Sequence, residues 1–308
     1  MTSSILIDCD PGIDDAVALM LAAASPGLSV RAVTATFGNV GLDATARNAL
    51  AVCELVGLDV PVHAGADRPL VRDVIGGRTF HGDAGLGGVV LPPPARDLAP
   101  GHAVDAIRAA VHGSPGEVTL VVTGAMTNVA LALRLDPGLV AGVRRLVFMG
   151  GSTEAGNVTP AAEFNALADP HAMRVVLDSG IPLTMFGLNV THRVLATPDR
   201  IARIRALGNP VAEAAATMLG FYLESYRVRY GWTGAALHDP CTIAHLLDPT
   251  LFTVVPMHVT VDTNEGPNFG RTTCDARRLG GQPPNVDVAV DADADRFFDL
   301  LAGALARY

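Results

Sequence analysis

Hydrophobic and polar positions follow two alternating patterns along this chain. Short apolar runs, such as 4–9 and 118–122, end at Pro, Gly or a polar residue and are typical of buried strands. Longer amphipathic segments lie between them, such as 42–56, which stops before Gly57. Strands that alternate with helices indicate a mostly parallel sheet covered by helices on both faces.

The same pattern extends to the last residues and predicts one α/β domain over residues 1–308. The other predicted strands are 30–36, 146–149, 181–186, 252–261 and 286–290, and the other predicted helices are 14–24, 128–135, 169–178, 198–207, 211–229, 241–247 and 292–307. Residues 263–278 have a hairpin-like pattern, so we expect a small antiparallel addition near the C-terminus. No internal repeat or low-complexity linker divides the chain, and an open, twisted sheet is the expected architecture.

Composition and charge narrow the class of protein. Of the 308 residues, 49% are hydrophobic and 17% are charged, which is enough apolar material for a large core. The net charge of −9 argues against nucleic acid or an anionic membrane as a partner, because both need a basic face. The four cysteines lack CxxC spacing, which predicts reduced thiols rather than a zinc site or disulfides. The N-terminus has no basic leader, and its longest apolar run, 16–24, is too short to span a bilayer, so we expect a cytoplasmic protein.

Four carboxylates lie within eight residues, from the end of the first predicted strand onward: Asp8, Asp10, Asp14 and Asp15. Ligands of open α/β sheets bind beyond the carboxyl ends of the strands, where Asp10 is expected. Asp14 and Asp15 fall in the first turn of the next helix, where the helix dipole favours each negative charge by about 0.3–1 kcal/mol. The dipole therefore explains Asp14 and Asp15 structurally, but it does not explain Asp10 in its Pro-Gly turn.

Carboxylates this close repel one another unless a cation lies between them. At about 4 Å and an effective dielectric of 20, the repulsion of one pair is about 4 kcal/mol. All candidate ligands are oxygens, and no His or Cys pair has metal-ligand spacing. The residues therefore predict a hard cation, Ca²⁺ or Mg²⁺. We expect Asp8 to lie behind the site and to accept hydrogen bonds from nearby backbone N–H groups.

Eight short motifs give the chain a resemblance to a known family. In order, they are Asp8-Cys-Asp-Pro-Gly-Ile-Asp-Asp-Ala, Gly38-Asn39, His81-Gly82, Thr123-Gly-Ala-Met-Thr-Asn128, Met149-Gly-Gly151, Gly156-Asn157, Glu163-Phe-Asn165 and His238-Asp-Pro240. In order and spacing they resemble the inosine-uridine-preferring nucleoside hydrolases, which cleave the N-glycosidic bond of ribonucleosides. The resemblance implies an enzyme of nucleoside salvage or catabolism that releases free base and ribose from a small-molecule ribonucleoside.

The resemblance also implies one Ca²⁺ per subunit at the bottom of the pocket. Its protein ligands would be Asp10, Asp15, the backbone carbonyl of Thr123, and Asp239, with water and two ribose hydroxyls completing the seven or eight oxygens that Ca²⁺ prefers. Asp10 would be the general base that takes a proton from a calcium-bound water. The family further implies a homotetramer or homodimer.

Five further residues are expected to bind the sugar. By the resemblance, Asp14, Asn39 and Asn165 would contact the 2′ and 3′ hydroxyls. Asn157 and Glu163 would hold the 5′ hydroxyl. A ring of carboxylate and amide oxygens suits this reaction, because the ribosyl group gains positive charge in the transition state.

Histidine and tyrosine residues are expected on the side of the pocket that receives the base. His238 is expected to protonate the leaving base, since a histidine titrates near neutrality. Tyr226 matches an aromatic contact to the base and could relay a proton with His238, whereas Tyr222 is explained almost as well as a core residue. His81 lies in a Gly-rich segment, 76–88, that could close over the substrate.

The same residues predict which base is preferred. Purine-specific relatives grip the base between tryptophans, whereas this chain has one, Trp232, and keeps both His81 and His238. We therefore expect a pyrimidine-preferring or non-specific enzyme, with uridine as the first substrate, followed by inosine and cytidine. Nucleotides are not expected, because Glu163 would repel a 5′ phosphate.

Two other classes share part of the pattern. Haloacid-dehalogenase-type phosphatases begin with a strand and Asp-x-Asp and use Mg²⁺. Asp8-Cys-Asp10 fits them, but Asp14-Asp15 and His238-Asp239 do not, and Pro11 replaces the usual Thr or Val. A non-catalytic calcium- or ribose-binding protein is the third interpretation. The glutamate that closes an EF-hand loop is missing, which disfavours it.

Overall fold

The computed structural model describes residues 2–75 and 78–308, and a nine-stranded sheet runs through its middle. The strands in chain order are β1 (Ser3–Cys9), β2 (Leu28–Ala35), β3 (Val62–Ala64), β4 (Val118–Val122), β5 (Val143–Met149), β6 (Leu183–Phe186), β7 (Leu195–Ala196), β8 (Ala235–Ala236), β9 (Phe252–Val261), β10 (Thr272–Asp275) and β11 (Val286–Ala292). The large sheet has the order β10-β9-β11-β6-β5-β4-β1-β2-β3, while β7 and β8 pair separately. Across the large sheet, all neighbouring strands between β3 at one edge and β11 are parallel. Strands β9 and β10 add antiparallel strands at the other edge.

Helices connect the parallel strands, because such strands need a crossover between them. They are α1 (Ile13–Ala23), α2 (Leu42–Leu55), α3 (Arg78–His81), α4 (Ala103–Gly113), α5 (Thr127–Leu135), α6 (Leu139–Gly142), α7 (Phe164–Ala168), α8 (Pro170–Leu177), α9 (Leu188–Thr191), α10 (Pro198–Arg205), α11 (Pro210–Tyr230), α12 (Pro240–Leu247) and α13 (Ala294–Leu305). One large apolar cluster joins α1, α2, α11, α12 and α13, and a second joins α4, α5 and α8.

Strand β1 separates these two clusters through its alternating side chains. Ile5 and Ile7 belong to the first cluster, and Leu6 belongs to the second. Asp8 lies on the Leu6 side, because successive residues of a strand point to opposite faces. Burial on both faces explains why this strand reads as a continuous apolar run.

The predicted fold class is confirmed: a single α/β sheet, mostly parallel, with the antiparallel addition formed by β9 and β10. Each predicted strand and helix is present, with end shifts of three residues or fewer. Sequence reasoning missed α4, although its buried Val104, Ile107 and Val111 have helical spacing. It also missed β3 and the shorter helices, whose length leaves too few residues for a periodic pattern.

The structure also bears on the expected state of the cysteines and on membrane-spanning helices. All four cysteines are free, and three of them are buried. Among residues 2–75 and 78–308, no helix combines the length and the apolar character needed to cross a membrane.

Candidate active site

The carboxyl ends of neighbouring strands place the motif residues at one edge of the sheet. Asp10 follows β1, Asn39 follows β2, and Thr123 follows β4 directly, while Met149 ends β5. Strands β2 and β4 flank β1 and run parallel to it, so these positions must lie side by side. Asp239 joins them from the N-cap of α12.

Asp15 is held by hydrogen bonds to both carboxylate oxygens. Its Oδ1 accepts from the Thr123 hydroxyl at 2.7 Å and from the Asp10 backbone N–H at 3.3 Å. Its Oδ2 accepts from the Gly12 backbone N–H at 3.0 Å and from Asn39 Nδ2 at 3.1 Å. These donors favour the ionised form, although burial still raises the pKa of Asp15. The carboxylate is therefore fixed in one orientation.

Asp10 lies in a tight space and has an unsatisfied oxygen. Its Oδ2 accepts from the Asn39 backbone N–H at 2.7 Å, whereas its buried Oδ1 has no hydrogen-bond partner among the described residues. A Cβ at Gly38 or Gly124 would lie 2.0 or 2.6 Å from the two carboxylate oxygens, so only glycine fits at both positions. Burial, followed by the charge of Asp15, raises the pKa of Asp10 well above its usual range.

Asp14, Asp15 and Asp239 form a buried acidic cluster that could hold a metal ion. One carboxylate oxygen from each lies within 4.8 Å of the others. Burial, followed by the charge of Asp15, raises the pKa of Asp14 to about 8. Burial, followed by the charge of Asp14, raises the pKa of Asp239 well above its usual range. Asp14 Oδ1 is buried without a hydrogen-bond partner in the described chain, as is Asp10 Oδ1. Unsatisfied acceptors beside crowded carboxylates fit a hard cation.

Asp8 lies behind the site, but its partners are not the expected backbone N–H groups. Its Oδ1 accepts from the Thr34 hydroxyl at 2.6 Å and from Asn128 Nδ2 at 2.8 Å. Burial raises the pKa of Asp8 to about 7. Within the described residues, the Asp8 carboxylate is thus bonded to side chains of β2 and α5 and not to backbone groups.

The polar residues on the opposite wall are fixed by backbone contacts. Glu163 caps α7, and its carboxylate accepts from the backbone N–H groups of Gly151, Asn165 and Ala166 at 2.8–3.0 Å. Asn165 donates through Nδ2 to the Thr123 carbonyl at 2.6 Å. Asn157 accepts from a backbone N–H through Oδ1, and in the described chain its Nδ2 has no protein acceptor. These groups can present oxygens and one amide N–H to a bound sugar.

His238 lies between two hydroxyl groups. Its Nε2 is 2.7 Å from the Tyr226 hydroxyl, and its Nδ1 is 2.7 Å from the Thr191 hydroxyl. Burial lowers the pKa of His238 well below its usual value, so the ring is neutral at pH 7. Tyr226 packs edge-on against Tyr222 at 5.0 Å between ring centroids.

His81 closes the same side of the pocket. Its Nδ1 accepts from the Ile13 backbone N–H at 3.1 Å, and burial lowers the pKa of His81 to about 3. In this neutral ring Nε2 must carry the hydrogen. His81 ends helix α3 within the predicted Gly-rich segment, of which Gly76 and Gly77 lie outside the described residues.

Ten of the predicted residues line one pocket together: Asp14, Asn39, His81, Thr123, Asn157, Glu163, Asn165, Tyr226, His238 and Asp239. Asp10 and Asp15 are fully buried beneath it. Sequence reasoning assigned no place in the wall to six lining residues: Phe80, Met149, Val158, Phe164, Arg229 and Tyr230. Tyr230 could have been found, because Tyr222, Tyr226 and Tyr230 recur every four residues along α11.

The sequence of the chain also matches the model of a known protein family. Residues 5–299 match the model described as "Inosine-uridine preferring nucleoside hydrolase". The chain belongs to this family. The predicted enzyme class, a ribonucleoside hydrolase that cleaves the N-glycosidic bond, is thereby confirmed.

Curated relatives match this nucleoside hydrolase over its whole length. The "Pyrimidine-specific ribonucleoside hydrolase RihA" of Photobacterium profundum is 46% identical over 310 residues, which covers 100% of both chains. The "Pyrimidine-specific ribonucleoside hydrolase RihB" of Escherichia coli O157:H7 is 41% identical and covers 99% of this chain and 97% of its own. Among solved structures, the "Purine-Preferring Ribonucleoside Hydrolase from Gardnerella vaginalis" has a TM-score of 0.93 at 35% identity, covering 99% of this chain and 98% of that one.

Proposed function

We propose that this nucleoside hydrolase is a calcium-dependent enzyme with a preference for pyrimidine ribonucleosides. One observation carries the proposal: a single pocket joins a buried carboxylate cluster, a polar wall suited to ribose, and a His238–Tyr226 pair suited to the base. The pocket thus has separate groups for the attacking water, the sugar and the leaving base. A phosphatase would need neither the ribose wall nor the groups for the base, and a non-catalytic binding protein would need no group for an attacking water.

Asp15 and Asp239 are the proposed protein anchors for Ca²⁺, with Asp10 and the Thr123 carbonyl as further ligands. Asp14 lies within the same carboxylate cluster and adds negative charge to it. The unsatisfied Oδ1 atoms of Asp10 and Asp14 support a cation at this point. When bound, Ca²⁺ would lower the pKa of a water molecule and hold the sugar diol.

Asp10 is the proposed general base. Its Oδ2 is fixed by the Asn39 backbone N–H, so Oδ1 is the atom left to accept a proton. A base held in this way removes a proton from the attacking water without first reorienting. Asp14, Asn39 and Asn165 would hold the 2′ and 3′ hydroxyls above it.

Glu163 and Asn157 are proposed to bind the 5′ hydroxyl. The Glu163 carboxylate is oriented by three backbone N–H groups, and among residues 2–75 and 78–308 the Asn157 Nδ2 donor has no acceptor. As ligands of the 5′ hydroxyl they would make and break no bond themselves. Their contribution is to fix the ring while it flattens toward the oxocarbenium-like state.

The leaving base is proposed to receive its proton through Tyr226. Since burial keeps the His238 ring neutral, the ring acts through the hydroxyl that it contacts at 2.7 Å. Tyr226 lines the pocket directly, and so does Tyr222. Tyr226 would give its hydroxyl hydrogen to the departing base, and the phenolate left behind would be held by its contact with His238 Nε2 until water returns a proton.

Uridine is the proposed first substrate, followed by inosine and cytidine. The relatives at 46% and 41% identity are named as pyrimidine-specific, whereas the purine-preferring structure is more distant at 35%. Trp232 packs against Tyr226 and Tyr230 and is not among the described residues that line the pocket. We also propose that the enzyme works as a homotetramer or homodimer, which light scattering can test.

Incubation of the purified protein with uridine, inosine, cytidine and p-nitrophenyl phosphate tests the proposed function. We expect release of free ribose from uridine, loss of activity with EDTA, and recovery with Ca²⁺. The ratio kcat/KM should be higher for uridine than for inosine. Phosphate release, or no turnover of any nucleoside at any metal concentration, would contradict the proposal.

His238→Ala is expected to affect poor leaving groups selectively. Uracil needs a proton to depart, whereas p-nitrophenolate departs without one. We expect uridine turnover to fall by about 10²–10⁴-fold and p-nitrophenyl riboside turnover to fall much less. Steady-state kinetics on both substrates measure the difference. Equal losses on the two substrates would remove His238 from proton transfer. His258→Ala is a matched control, since this half-buried histidine lies on β9 and is not among the residues that line the pocket.

A further inference from the structure

Three buried groups form a row that leads from the protein interior to the pocket. The Thr191 hydroxyl lies 2.7 Å from His238 Nδ1, and His238 Nε2 lies 2.7 Å from the Tyr226 hydroxyl. Thr191 is fully buried, and it does not line the pocket. Among the described residues, its hydroxyl is therefore connected to the pocket through His238 and Tyr226.

The two-stranded sheet keeps Thr191 and His238 together despite 46 intervening residues. Leu195 and Ala196 pair with Ala236 and Ala235. The Leu237 backbone N–H then donates to the Val194 carbonyl at 2.9 Å, which extends the pairing up to the residue before His238. Both side chains thus come from segments whose backbones are tied to each other.

The position of Thr191 is also set by its own helix. The Thr191 backbone N–H donates to the Gly187 carbonyl at 3.1 Å, and the Thr191 carbonyl accepts from Val194 at 3.0 Å. A threonine on a helix often donates its hydroxyl to the carbonyl one turn earlier. Within the described chain, Thr191 has no such contact, and His238 Nδ1 is the hydrogen-bond partner of its hydroxyl.

The hydrogen atoms on Thr191 and His238 determine which group donates in each of the two hydrogen bonds. A buried hydroxyl left without an acceptor costs free energy, and His238 Nδ1 is the acceptor at hand. If Nδ1 carried a hydrogen, two hydrogens would meet between the groups or the Thr191 hydrogen would have no acceptor. Nδ1 must therefore be bare, and the neutral ring then carries its hydrogen on Nε2.

We propose that Thr191 is a positioning residue that fixes His238 with its Nε2–H toward Tyr226. The Tyr226 oxygen then accepts from Nε2, and its own hydrogen points away from His238, toward the pocket that Tyr226 and Tyr222 line. The Thr191 hydroxyl thus determines that the pocket presents a donor, and not an acceptor, to the base. This inference rests on the proposed role of His238 and Tyr226 in protonating the leaving base.

Thr191→Val and Thr191→Ser test the role kinetically. Valine keeps the shape and removes the hydroxyl, and serine restores it. We expect Thr191→Val to lower kcat for uridine by about 10–100-fold, in the range seen when an orienting partner of a histidine is lost. Turnover of p-nitrophenyl riboside should stay within about threefold of wild type, and Thr191→Ser should recover most of the uridine activity.

The outcomes separate a positioning role from a structural one. Equal losses of Thr191→Val on both substrates, or failure of serine to rescue, would overturn the proposal. Melting temperatures of both variants identify a folding defect. If Thr191→Val is unstable, Thr191→Ser still tests the role: any loss of activity should be larger with uridine than with p-nitrophenyl riboside, and an equal loss on both would contradict the proposal. If His238→Ala itself shows no leaving-group dependence, the proposed function fails at that step, independently of Thr191.

Nitrogen-15 NMR of histidine-labelled enzyme tests which ring nitrogen of His238 carries the hydrogen. Ring nitrogens with and without a hydrogen resonate separately, and a His238→Asn difference spectrum assigns the signal. We expect a bare Nδ1 and a protonated Nε2 in the wild type, and loss of this single form in Thr191→Val. A hydrogen on Nδ1 in the wild type would overturn the proposed direction.

Discussion

Asp10→Ala is expected to abolish turnover while nucleoside binding remains measurable. The variant keeps Asp14, Asn39 and Asn165, which are proposed to contact the ribose hydroxyls, but it lacks the group that takes the proton from water. General-base catalysis contributes about 10²–10⁴-fold, so kcat for uridine should fall by at least that factor. Steady-state kinetics, together with calorimetric titration of a ribose analogue, measure the two effects separately.

The structure predicts that this loss is chemical and not a loss of folding. The Asp10 carboxylate is buried, its Oδ1 has no partner in the described chain, and burial raises its pKa. Such a group destabilises the fold in its charged form. Asp10→Asn, which keeps the size and an oxygen for the Asn39 N–H, should therefore melt no lower than the wild type and still be inactive.

A matched control is available at the same edge of the sheet. Asp67 follows β3 as Asp10 follows β1, but it is exposed and pairs with Arg68 at 3.1 Å. A surface pair of this kind is worth about 0–1 kcal/mol, so Asp67→Ala should keep full activity. More than a tenth of the wild-type rate in Asp10→Ala would contradict the general-base role.

Much of the sheet edge was predictable because short-range patterns define it. The apolar run of β1 and the Pro-Gly turn after it place Asp10 at a strand end, and parallel neighbours bring Asn39 and Thr123 beside it. The approach of Asp239 could not be derived in this way, since α12 reaches the site from more than 200 residues downstream. Only the resemblance linked Asp239 to the first motif.

The base side of the pocket was less predictable for a physical reason. His238 follows a short apolar stretch, and its two hydroxyl partners come from α9 and α11. Helix α9 has four residues and the strand after it has two, which is too short for periodicity to reveal. No sequence pattern therefore predicts a role for Thr191, whereas the four-residue spacing of the tyrosines on α11 places them on one helix face.

The metal ligands differ between the two lines of reasoning, and the difference can be measured. The resemblance gives Asp10, Asp15 and Asp239, whereas the carboxylate oxygens that lie within 4.8 Å of one another belong to Asp14, Asp15 and Asp239. Asp15 and Asp239 are common to both sets. Calorimetric titration with Ca²⁺ alone, without nucleoside, compares Asp10→Ala and Asp14→Ala, and the larger loss of affinity identifies the third carboxylate ligand.

Asp15→Ala is expected to eliminate Ca²⁺ binding and uridine hydrolysis together. One carboxylate at about 4 Å from the ion contributes about 4 kcal/mol per unit charge at an effective dielectric of 20, which is roughly a thousandfold in Kd. The variant also frees the four donors that now hold both Asp15 oxygens, so the turn from Asp10 to Gly12 loses its anchor. Asp43→Ala, an exposed acid in the first turn of α2, is the matched control and should bind Ca²⁺ normally. Undiminished Ca²⁺ affinity in Asp15→Ala would move the cation away from this cluster.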